Sequence, residues 1–122
     1  MQKINLSEAF SKFFDHWSPK IAGDINDFQL KLAKFKGPFH WHHHDREDEL
    51  FLVVHGRLRM NFRDRPAVEL DPGEFIIVPH GVEHLPEALG DECHVVLLEQ
   101  NTTLNTGNVE NARTVRVLDR LN

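Results

Sequence analysis

The feature that most restricts the fold is a series of short alternating segments, closed by glycine or proline about every ten residues, with no helix-length stretch between them. Phe28, Leu30, Leu32 and Lys34 alternate with Gln29, Lys31 and Ala33, the period of two that marks a strand. Further strands are predicted over 50–54, closed by Gly56, over 57–62, closed by Asp64 and Pro66, and over 67–70, before Asp71-Pro72-Gly73. Three more are predicted over 75–78, ending at Pro79-His80-Gly81, over 94–99 and over 113–118. This punctuation points to an all-β sandwich or barrel and leaves no room for parallel βαβ units.

Ahead of the strands, Leu6, Phe10, Phe13, Phe14 and Trp17 recur at helical spacing, with Ser7 as candidate N-cap and Pro19 and Gly23 as breaks. The organisation expected is a helical segment over 1–22 and a barrel over 23–122, one domain overall. The aromatic stripe is expected to pack on the barrel or on a partner subunit. At 122 residues the chain can bury roughly two-thirds of its unfolded surface without disulfide staples.

Charge and cysteine usage remove several function classes. The net charge is −5 and no Lys/Arg run occurs, so nucleic acid is not an expected partner. The single Cys93 cannot close an internal disulfide. No apolar run approaches the roughly 18 residues of a membrane span, and the first residues lack the apolar core of a signal peptide. A cytoplasmic location and no membrane partner are the expectations. Ser7, Ser11 and Ser18 have no nucleophile-elbow context, strand alternation turns His94 away from Cys93, and there is no phosphate-binding glycine loop.

Nine histidines in 122 residues, four of them in His40-Trp41-His42-His43-His44, call for a chemical explanation. In a strand, His42 and His44 project from one face, about 6.5–7 Å apart, and can tilt their nitrogens onto a point about 2 Å from each. His43 faces the other way, and His40 shares the parity of His42 and His44. Beyond the acidic turn 45–48, Glu49 opens the next strand, about 4.8 Å away in an antiparallel pair. His84 follows Pro79-His80-Gly81 and can enter from a third strand. The expected ligand set for one divalent ion is His42, His44, Glu49 and His84. His43, His55, His80 and His94 are assigned surface or packing roles, His16 belongs to the helical stripe, and His40 is the candidate catalytic base.

Two blocks of residues carry a family resemblance. His42-X-His44, four residues, Glu49, six residues and Gly56 resembles the first cupin motif. Gly73, five residues, Pro79-X-Gly81, two residues and His84 resembles the second. Gly37 stands one residue nearer His42 than the leading glycine of the first motif, and Ala88 stands where the second commonly ends in Asn. The resemblance implies an all-β cupin double-stranded β-helix (jelly-roll barrel) with a short N-terminal helix, among small single-domain cupins often described as sugar-isomerase-like.

Mixed imidazole and carboxylate donors suit Fe, Mn, Ni, Co or Zn, and a six-coordinate ion keeps open positions for a small molecule. Two function classes stay open: a metal-dependent isomerase, epimerase, lyase or oxygenase acting on a small polar or carbohydrate-like substrate, and a non-catalytic metal-anchored binding or sensing module. Phe51, Phe62, Phe75 and Ile77 are candidate pocket walls. A homodimer is expected, because a small barrel leaves sheet edges to cover. The polar segment 102–108 has no role beyond turn chemistry.

Overall fold

A computed structural model describes residues 1–122, and it is almost entirely β. The strands are β1 (Lys20–Ile25), β2 (Phe28–Phe35), β3 (Glu49–Phe62), β4 (Val68–Leu70), β5 (Phe75–Val78) and β6 (His84–Gln100), preceded by one helix, α1 (Leu6–Phe10). All ladders are antiparallel, in the order β1-β2-β6-β3-β4, with β5 also on β3. No helix is long and apolar enough to cross a membrane.

The two longest strands define the barrel. Residues Glu49 to His55 of β3 pair with His94 to Glu99 of β6, and Arg57 to Phe62 pair with His84 to Leu89. The register shifts between these halves at Gly56, so each strand bends there. The bend requires glycine: Gly56 has φ +80, and a Cβ would stand 2.3 Å from the Glu92 carbonyl oxygen. The segments expected over 50–54 and 57–62 are therefore one bent strand.

Two apolar layers flank the sheet. The inner one gathers Ala33, Phe35, Phe51, Val53, Val95 and Leu97. The outer one gathers Phe10, Phe13, Ala22, Leu32 and Val96 under the N-terminal segment. The alternation of β2 thus has apolar residues on both faces, and it is the Lys31–Ala33–Phe35 face that lies inside the barrel.

Three expectations need correction. The helix does not run through the aromatic stripe to Trp17; it stops at Phe10, capped by Asn5 rather than Ser7. Lys34 Nζ donates to the Phe13 carbonyl at 2.7 Å and Trp17 N–H donates to the Lys34 carbonyl at 2.9 Å, which ties this stretch to β2 instead of to a further helical turn. Residues 20–22, expected in the helical segment, belong to a strand, β1, that runs from Lys20 to Ile25. No strand forms over 113–118; the chain instead meets β1 at Arg120, where Ile21 N–H donates to Asp119 and Leu121 N–H to Ile21.

Candidate metal centre

His42, His44, Glu49 and His84 converge inside the barrel, with one donor atom from each lying within 4.8 Å of every other. All four are buried. Glu49 opens β3 and His84 opens β6, the two ends that the bend at Gly56 brings together. His42 is joined to His84 by reciprocal backbone hydrogen bonds of 3.1 and 2.9 Å.

Backbone carbonyls set the tautomers of two rings. His42 Nδ1 lies 3.0 Å from the His40 carbonyl oxygen and His84 Nδ1 lies 2.8 Å from that of Val82. A carbonyl only accepts, so both Nδ1 atoms carry the proton and both Nε2 atoms present a lone pair. His44 Nε2 is 2.7 Å and His84 Nε2 3.4 Å from Glu49 Oε1, yet none of these three buried atoms has a hydrogen-bond partner. Their directions miss one another while their positions converge, the arrangement a shared cation requires. This donor set fits a divalent transition metal.

Electrostatics favour the ligand-competent form of His42. Burial first, and the neighbouring His84 second, push the His42 imidazole down to about 3, which keeps it neutral.

Loops hold the histidine segment from outside. Gly81 N–H donates to the His44 carbonyl at 2.7 Å, and Asp48 accepts from the backbone N–H of His80 at 2.9 Å. The polar segment 102–108 has a clear role. Asn108 N–H donates to the His43 carbonyl, and the Asn108 side-chain oxygen accepts from His43 N–H. Gly107 (φ +60) packs so closely that a Cβ would meet the His43 carbonyl oxygen at 2.3 Å and His42 Cδ2 at 2.9 Å.

Beside His42 and Glu49 lies a cavity of about 30 Å³, walled by Trp17, Phe35, Phe39 and Phe51 and reached by Glu99. Phe51 is where the sequence places it. Phe62 packs against the core but does not line this cavity. Phe75 and Ile77 point outward, 58% and 54% exposed, because they stand opposite Leu52 and Leu50, on the face of β3 that Glu49 and Phe51 do not share. Trp17, assigned to packing, stacks on Phe35 and Phe39 at 4.2 and 4.5 Å and closes the cavity.

The His40 ring lines a cleft with Asn111, Ala112 and Arg113 and packs against the His42 ring at 5.2 Å between centroids, while its carbonyl accepts from His42 Nδ1. His43 and His80 make surface pairs with Asp45 and Asp48. Lys31 and Glu99, buried in the barrel interior, had no signal in a single sequence beyond a charge on each of two alternating strands.

The cupin domain family matches residues 31–100, more than half the chain. The chain belongs to the cupin domain family. The crystal structure of a cupin-2 domain containing protein from Shewanella frigidimarina is similar, with 43% identity and a TM-score of 0.77, over 80% of this chain and 94% of that one. A more distant structure, described as DMSP lyases RdDddP and RnDddQII, has 25% identity and a TM-score of 0.56, over 64% of this chain and 40% of that one. YdbB of Bacillus subtilis is 38% identical over 61 residues, half of this cupin. The chain spans 54% of the length of that curated relative.

Proposed function

We propose that this cupin holds one divalent transition metal, Fe, Mn, Ni, Co or Zn, through His42, His44, Glu49 and His84, and acts on a small oxygen-rich molecule in the adjoining cavity. The observation that carries this reading is the convergence of three buried, unpartnered donor atoms, His44 Nε2, His84 Nε2 and Glu49 Oε1. A bound ion of this kind supplies Lewis-acid polarisation of a ligand oxygen and acidifies an attached water. The chain's own residues do the rest. The His40 and Val82 carbonyls fix the ring tautomers, and the aromatic wall of Trp17, Phe35, Phe39 and Phe51 excludes bulk water.

Among the reaction types open to such a site we favour lyase or isomerase chemistry, supported by the 25% identity to a structure described as DMSP lyases. His40 serves through its carbonyl as a positioning group for His42. We also propose a cytoplasmic homodimer, in which a twin covers the outward Phe75 and Ile77 of β5; light scattering giving a monomer mass at micromolar concentration would refute the dimer.

The deciding experiment is elemental analysis of untagged protein purified without chelator, beside His44→Ala and His84→Ala. About one equivalent of metal, lost in both variants, supports the site. No metal in the wild type, and none taken up on reconstitution, overturns it. Metal-loaded protein that binds small hydroxylated ligands but turns none over favours the binding-module reading.

A further inference from the structure

Two charged residues inside the barrel lie outside the metal set. Glu99 stands directly opposite Glu49 in the β3–β6 ladder, and Lys31 stands opposite Leu97 on β6, so Lys31, Glu99 and Glu49 share one face. Lys31 Nζ donates to Glu99 Oε1 at 2.9 Å, with each side chain 2% exposed. The other oxygen, Glu99 Oε2, is buried without a directed hydrogen bond, and burial together with the Glu49 carboxyl beside it raises the Glu99 carboxyl. Glu99 lines the cavity that His42 and Glu49 also line.

Stability does not account for this pair. Removing two charges from water costs about what their attraction returns, and an apolar pair of similar volume serves a core equally well. Leu97 opposite Lys31, and Ala33 and Phe51 on the same face, are the surroundings in which such a replacement would be expected. A buried carboxyl oxygen without a directed hydrogen bond is a further cost to folding. Both features are accounted for if the pair binds a ligand.

Resting on the metal reading above, we infer that Lys31 and Glu99 form the polar recognition element of the cavity. Lys31 fixes the carboxyl group through Oε1, and Oε2 takes the hydroxyl of a small α-hydroxy acid or vicinal diol whose neighbouring oxygen meets the metal. A hydroxyl is the matching group because it both donates and accepts. A cavity of about 30 Å³ has room for roughly two water-sized groups, which limits the enclosed part of the ligand to its two oxygens.

The test uses the full chain loaded with Co(II), whose visible bands report ligands entering the metal sphere, titrated with glycolate and with acetate. Wild type is expected to bind glycolate roughly tenfold more tightly, the upper value of one ordinary hydrogen bond. The double variant Lys31→Met with Glu99→Leu should bind Co(II) as wild type does and bind the two acids equally. No preference in wild type, or a preference unchanged in a folded double variant, overturns the inference while leaving the metal site standing. If circular dichroism shows the double variant unfolded, a crystal structure of wild type with Co(II) and glycolate decides. The hydroxyl within about 3.2 Å of Oε2 supports the inference, and the hydroxyl elsewhere overturns it. Absence of Co(II) bands in wild type overturns the metal reading and this inference together.

Discussion

The molecule contains two histidine–glutamate clusters built from the same residue types. In the first, the His44 and His84 Nε2 atoms crowd Glu49 Oε1 without hydrogen-bonding to it. In the second, His16 Nε2 bonds one oxygen of Glu92 at 2.6 Å and His94 Nε2 bonds the other at 2.7 Å. The His94 bond, aided by that of His16 against some burial, holds the Glu92 carboxyl below its ordinary range. Phe10 and His55 pack on the His94 ring. Both Glu92 oxygens and the two Nε2 atoms are paired within the protein, and Glu92 remains about a third exposed. Composition is therefore no guide to metal affinity. What separates the clusters is whether the lone pairs are spent within the protein or left converging on one point.

The largest expected effect breaks the comparison directly. His44→Ala or His84→Ala should weaken metal binding by at least about 100-fold, whereas His16→Ala and His94→Ala should leave metal content within about twofold. Metal analysis of the four variants checks this, and equal loss in His94→Ala would erase the distinction.

Next in size is Gly107→Ala. A Cβ there meets the His43 carbonyl oxygen and the His42 ring, so stability should fall by about 1–3 kcal/mol with metal affinity falling alongside. Gly90→Ala, where a Cβ meets nothing within 4 Å, carries only the cost of its positive φ and should spare the metal. Denaturant titration and metal competition on both variants test the contrast.

A pH series sharpens it further. His42 is held at about 3 in the fold against 6.5 for the ordinary group, so between these values the unfolded chain binds the extra proton. Stability of the metal-free protein should therefore be lost as pH falls from 6.5 towards 3, by at most about 1.4 kcal/mol per pH unit. Glu99 acts in the opposite sense above pH 4.5, because burial and Glu49 raise its carboxyl despite Lys31. The difference between wild type and His42→Gln isolates the His42 contribution; parallel curves would contradict it.

The smallest effect belongs to the second cluster. Glu92→Gln should cost about 0.5–1 kcal/mol, as partly exposed pairs do, and leave metal content unchanged. Thermal melts with metal analysis test it, and a change in metal content would link the two clusters.

Much of this was legible in residue spacing. The His42-X-His44, Glu49 and His84 pattern places four donors that the fold does bring together, and Gly56 marks the bend that allows it. The strand over 28–34 was legible from its alternation, but its inward face was not, since Leu30 and Leu32 on one side and Ala33 and Phe35 on the other are equally apolar. The aromatic stripe at helical spacing misled beyond Phe10 because long-range hydrogen bonds from Lys34 and Trp17 override local period. Phe75 and Ile77 misled because a short apolar strand does not reveal which of its faces is covered.

Sequence alone determined the all-β class, the family and the donor set, because strand period and ligand spacing are local properties of the chain. Only the tertiary structure decided that Lys31 and Glu99 meet across strands 68 residues apart in sequence, that Gly107 and Asn108 brace His42 and His43, and that one histidine cluster is spent on Glu92 while the other is not. Those outcomes depend on cross-strand register and on the direction of individual lone pairs, and a chain acquires both only when the barrel closes.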